Sequence, residues 1–158
     1  MRIGVDIHSS KGRVSGLGVY TENLARSLIR EAANGFEFCF YGGETARNFS
    51  TPRRLIWENW ELPRLARRDR VDILHVPAFA PPLVKTFRLV VTVHDLIGIK
   101  FPNQLGWASR LYWSRWLPQA VKQADAVIAD SEHTKKDIVE CVRIPEKRIR
   151  VIYPSGHE

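Results

Sequence analysis

The chain has 158 residues, 44% of them apolar, which is enough for one domain with a proper core and too few for two. A formal charge of +7 predicts attraction to something anionic without choosing between nucleotide, lipid headgroup and nucleic acid. The two cysteines, Cys39 and Cys141, stand far apart without ligand-type neighbours, which argues against a disulfide framework or a zinc site and for a reducing cytoplasm; no run approaches the ~20 apolar residues that cross a bilayer, so the chain reads as soluble or peripheral.

Ile3 to Ile7 predicts a first strand. A long loop with Gly16 and Gly18 leads into a helix from about Gly18 to Ala33, with Tyr20, Leu24, Leu28, Ala25 and Ile29 at the spacing of one buried face and Asn34-Gly35 as its stop. Phe36 to Tyr41 is the second strand, and Leu55 to Trp57 reads as a short third. A helix around Asn59 to Arg68 follows, then a strand at Asp72 to Val76 closed by the Pro77 to Pro82 loop. Arg88 to Val93 is a strand whose consecutive apolar residues imply cover on both faces, the habit of parallel sheets. Trp107 to Ala124 is helical with a bend or break near Pro118. Ala126 to Ala129, a helix from Ser131 to about Cys141, and a strand at Ile149 to Tyr153 complete the series. Alternating strands and helices imply right-handed crossovers, hence an α/β, Rossmann-like three-layer sandwich with a mainly parallel sheet and helices on both faces.

In such a sheet the carboxyl ends of the strands share one edge, where ligands lie. Asp6 and His8, His75 and Pro77, His94 and Asp95, and Asp130 and Ser131 should therefore gather along one rim. His94 ends the RLVVTVHD run and titrates near neutral pH, which suits it to work beside a reacting hydroxyl or a sugar ring; the alternative is a structural histidine held by backbone carbonyls. His75 lies within its strand and reads as structural, and Ser131 reads as a helix cap. Gly16 and Gly18 are either a cradle for a diphosphate or a turn required by geometry. A dinucleotide fingerprint is poorly matched, because Thr21 stands where a third glycine is expected and no acidic residue ends the second strand; NAD binding is disfavoured. No Ser-His-Asp triad, paired carboxylates or metal cluster can be assembled. Arg53, Arg54, Arg64, Arg67, Arg68 and Arg70, interleaved with Trp57 and Trp60, fit either an anionic membrane interface or a solvated helix with buried tryptophans.

Several blocks in order, RIGVDIH, SGLGVYTENLARSL, WENWELPRLARRDRVDILHVPAFAPPL, VVTVHDLIGIKFP, LPQAVKQADAVIADSEHTKKDI and IPEKRIRVIYPSG, together resemble the N-terminal, acceptor-side domain of GT-B glycosyltransferases of family 4 (group 1), a retaining group that includes many bacterial mannosyltransferases. The resemblance implies a glycine loop, Gly16, Leu17 and Gly18, facing the diphosphate and acceptor, and His94 close to the transferred sugar. More loosely it implies substrate contacts for Asp95, Ser131 and Glu132. It implies no metal and no cofactor beyond the nucleotide-sugar donor as co-substrate, a glycan or lipid-linked acceptor, and a donor-binding domain, in cis or trans, after the segment like RVIYPSG. Because residues 1–158 read as a single domain that stops there, the expectation is half an enzyme, inactive alone. Its expected place is the cytoplasm, peripheral at the inner face of the plasma membrane, with no nucleic-acid partner. Two other readings remain open: a nucleotide-binding oxidoreductase domain, and a binding module without catalysis.

Overall fold

In the computed structural model, residues 1–11, 15–32, 35–43, 50–78, 81–83 and 85–154 are described. The Gly12 to Val14 part of the glycine loop, Asn34 of the expected helix stop, Phe79 and Ala80 of the proline-rich loop, and the last four residues lie outside them.

Six parallel strands form one sheet in the order β2-β1-β3-β4-β5-β6. They are β1 (Arg2–Asp6), β2 (Glu37–Tyr41), β3 (Ile73–Val76), β4 (Arg88–Val93), β5 (Ala126–Ala129) and β6 (Ile149–Val151). The α/β Rossmann-like architecture expected from the alternation of elements is the one observed. The order reverses between β1 and β3, the switch point outside which ligands of open α/β sheets lie.

The helices are unevenly shared between the two faces. The residues in register across one face, Leu74, Leu89, Val91, Val127 and Ile149 among them, are buried with Leu62, Leu117, Val121, Ile138 and Val142 in one core. This face therefore carries α2 (Thr51–Ile56), α3 (Leu62–Arg68), α5 (Trp107–Leu111), α6 (Leu117–Lys122) and α7 (Glu132–Asp137), together with the short α4 (Ile97–Lys100). The opposite face, with Ile3, Phe38, Ile73 and Val90, meets α1 (Gly16–Glu31), whose Leu28 helps to line a cavity of about 390 Å³ against it. Among the described residues α1 is the only helix over that side, because β3 and β4 are joined without one.

Five expectations are corrected or settled. Leu55 to Trp57 is helical, not a strand: Pro52 sits in the first turn of α2, where its missing N–H costs no hydrogen bond, and the helix continues through a π turn at Trp57–Glu61. α1 starts two residues earlier than expected, at Gly16, because Ser15 caps it by accepting from the Gly18 amide at 3.1 Å. Its core stripe is shifted as well: Gly18, Thr21 and Ala25 are buried while Ile29 is 58% exposed. Pro118 does not break its helix; a π turn at Tyr112–Trp116 precedes it. Pro63 is preceded in the same way, and in both the residue before the proline bonds five residues back, to Trp57 in one case and Tyr112 in the other. The widened turn lets a helix run on past a ring that would otherwise meet the carbonyl of the preceding turn. β6 also ends at Val151 rather than Tyr153.

Candidate functional site

The carboxyl edge of the sheet holds two histidine clusters. At β1, Asp6 and His8 are buried. The Asp6 carboxylate accepts from the His8 amide at 3.1 Å, from His8 Nδ1 at 2.9 Å and from the Trp57 indole at 3.2 Å. Alongside, the Tyr112 hydroxyl donates at 2.9 Å to the buried Glu58, tying the two π-turned helices together. Such a filled acceptor set locks the helical layer onto the end of β1.

The second cluster surrounds His94, one residue past β4. Its Nε2 lies 2.9 Å from the Pro77 carbonyl, and since a carbonyl only accepts, Nε2 carries the proton. The other ring nitrogen, Nδ1, stands 3.5 Å from Asp130 Oδ2. The Thr134 hydroxyl lies 2.9 Å from the His94 carbonyl and 2.8 Å from Asp130 Oδ1, so one side chain fixes both partners. Ser131 caps α7 by accepting from the Thr134 amide at 3.1 Å and reaches the Thr134 hydroxyl at 3.0 Å. The Tyr20 ring meets the His94 ring edge-on with centroids 4.5 Å apart. Burial, with Asp130 adding to it, raises the Tyr20 phenol above its ordinary range against the pull of Thr92, so its hydroxyl stays a donor.

Beneath these groups, His75 Nε2 lies 2.9 Å from Thr92 Oγ1 inside the sheet. Burial pushes the His75 pKa down to about 4, and His94 adds to the shift against the opposing pull of Asp6. His75 is thus a neutral, interior histidine, as its place within the strand implied.

Leu17, Thr92, His94, Asp95, Ile97 and Trp113 are among the lining of a mostly apolar cavity of about 160 Å³. Trp113 is held against Gly98, where a side chain would collide with its ring. A second, wider groove of about 540 Å³ is lined by Gly16, Val19, Tyr20, Asn23 and the Ile152 to Pro154 segment. Tyr20 stands between the two spaces, on His94 from one side and on the groove from the other.

The predicted residues are therefore partly assembled. Leu17, His94 and Asp95 share one cavity. Gly16 lines the neighbouring groove with open space where a Cβ would be. Gly18 is set by packing, since a Cβ there would come 2.9 Å from the Ser9 carbonyl. Asp95 is exposed and accepts from the Ile97 amide at 3.0 Å. Ser131 reaches the site through Thr134, and Glu132 is exposed in the first turn of α7. Two groups that build the cluster, Tyr20 and Thr134, were not among the expected site residues, and Asp130 was expected only as a member of the rim. The D-S-x-x-T spacing at Asp130 to Thr134, a cap followed by a hydroxyl one turn on, was the available signal.

The sequence matches the family model of Glycosyltransferase Family 4 over residues 14–155. The chain belongs to that family. No curated protein matches it. Among solved structures it is similar to the crystal structure of a glycosyltransferase from Rickettsia africae ESF-5, at 14% identity and a TM-score of 0.45, with 96% of this chain and 42% of that one covered. The family 4 chain thus spans less than half the length of that protein. None of its helices, among the described residues, is long and apolar enough to cross a membrane.

Proposed function

We propose that this family 4 domain is the acceptor-side half of a retaining glycosyltransferase, which moves a sugar from a nucleotide-sugar donor to a glycan or lipid-linked acceptor. The observation that carries the reading is the His94 cluster: a histidine with one nitrogen tied to backbone and the other beside Asp130, on the wall of a cavity shared with Leu17 at the carboxyl edge of the sheet.

With Nε2–H donated to Pro77, the His94 ring turns Nδ1 towards the Asp130 carboxylate 3.5 Å away, a polar pair that a hydroxyl donor can join. A sugar hydroxyl entering from the cavity can donate there. His94 so acts by orienting and polarising groups near the transferred sugar, while a diphosphate oxygen of the donor assists removal of the acceptor proton. Gly16, Leu17 and Gly18 open α1; the Gly18 amide is taken by the Ser15 cap, while those of Gly16 and Leu17 lack partners within the helix and suit the departing diphosphate. Ser131 and Glu132 open α7 on the same edge, and Asp95 borders the cavity. No metal and no cofactor beyond the sugar nucleotide enters this reading.

The donor half, in cis or trans, supplies most of the groups that stabilise the leaving diphosphate. Each such preorganised group contributes about 2.7 to 4 kcal/mol in the transition state, so these 158 residues alone are expected to be inactive. Mannose transfer is the family-level leaning, and the cytoplasmic face of the plasma membrane the expected place. Transfer assays with GDP-mannose and UDP-glucose on oligosaccharide and lipid-linked acceptors test the reading. Turnover is expected only when a donor-binding domain is joined or added, and turnover by the 158 residues alone at the rate of a two-domain enzyme would overturn it.

A further inference from the structure

Seventeen acidic residues are spread along the chain, yet none falls between Leu96 and Ala124. That stretch carries Lys100, Arg110, Arg115 and Lys122, and it holds α4, α5 and α6. Lys100 is turned to Asp137 at 2.6 Å, whereas Arg110 and Arg115 are exposed. Beside them the helix displays Trp107 and Leu111, 83% and 57% exposed and one turn apart. Across an apolar groove of about 370 Å³, these two residues face Pro52 and Leu55 of α2. α2 and its π turn add exposed Ile56 and Trp60, again one turn apart, with Arg64 one turn further.

Glu61, beside Trp60, is paired with Arg53, so the free charge around the apolar band is mainly cationic, which a protein partner of ordinary composition does not select. Indole rings flanked by arginines are what the headgroup level of an anionic bilayer selects: the rings occupy the boundary and the guanidinium groups meet lipid phosphate. The groove also adjoins the His94 cavity, since Tyr112 forms a wall of both, and exposed Ile97 lines the cavity.

We propose that the face formed by α2 and α5 seats on an anionic bilayer, with Trp107 and Leu111 at the headgroup boundary and Arg110 and Arg115 against lipid phosphates. The seat stands on the surface alone. Entry of a lipid-linked acceptor past Ile97 rests, in addition, on the glycosyltransferase reading.

The test is flotation of the purified protein with phosphatidylcholine vesicles, with and without phosphatidylglycerol and with no sugar substrate present, so its outcome is independent of catalysis. Binding is expected only to the phosphatidylglycerol vesicles, weakening as salt rises. It should fall about tenfold or more in Arg110→Glu/Arg115→Glu and in Trp107→Ser/Leu111→Ser, both of which should keep the parent's circular dichroism and melting temperature. A third variant, Arg143→Glu, alters an exposed cation distant in the chain and should bind nearly as the parent does. Three results would each overturn the proposal: no association with anionic vesicles, equal loss in all three variants, or a change in oligomeric state from Trp107→Ser/Leu111→Ser without any change in vesicle binding. Retention by duplex DNA as strong as by the vesicles would do the same.

Discussion

His8 and His94 stand at the same edge of the same sheet, each beside an aspartate, and they have different fates. His8 is sealed: Asp6 takes its amide and ring proton, and Trp57 closes over the pair. His94 has one nitrogen tied to backbone and the other left facing Asp130 at 3.5 Å on the wall of a cavity. Both histidines closely follow a strand, His8 two residues past β1 and His94 one past β4, so what separates brace from site is the element that packs on top. π-turned helices cover β1, whereas α1 only borders His94 through Tyr20.

The contrast can be broken most decisively at Asp6. Asp6→Ala leaves the Trp57 indole and the His8 amide buried without their acceptor, and should lower unfolding stability by about 3 kcal/mol or more in urea titration. A loss below about 1 kcal/mol would mean that the first cluster is no brace.

Next in size is a pH effect at His75. Its folded pKa is pushed down, so the unfolded chain binds the proton first and stability is complete above the unfolded value near 6.5. It should be lost as pH falls from 6.5 through about 4, by as much as about 3 kcal/mol, and His75→Gln should flatten that part of the stability profile. A profile of equal slope in the variant would remove His75 as its source. Thr134→Val should cost about 1 to 2 kcal/mol in denaturation, because the His94 carbonyl and Asp130 lose a shared donor and a valine is no substitute for a hydroxyl. Smallest of all, Ile29→Ser should shift stability by less than about 0.5 kcal/mol, since this residue of the expected core stripe is largely in solvent.

How far the sequence could be read follows from the range of each signal. All six strands that form were legible as apolar runs bounded by turn residues, and the parallel arrangement followed from their alternation with helices. Leu55 to Trp57 misled because three residues cannot show a period; the helical signal lay in Pro52 and in residues further along. Tyr20 looked like core because it lies on the apolar stripe of α1, yet half of it meets His94 across the sheet edge. His94 was legible from its strand end. Pro77 and Asp130 were legible as members of the same rim but not as its bonded partners, and Thr134 was not legible at all: Pro77 is 17 residues away in the chain, and Thr134 is 40. Those distances are closed by the order of the strands, which local pattern does not contain. Ser131, conversely, was legible as a cap because capping is a local act within one helical turn.

The central claim is that the open cluster, not the sealed one, serves transfer. Its most direct measurement is the rate of sugar transfer by His94→Ala in the enzyme completed with its donor-binding half, taken beside the melting temperature of the same variant. The rate should fall about a hundredfold or more while the melting temperature stays close to that of the parent. Transfer at the parental rate would take His94 out of the site and the cavity with it.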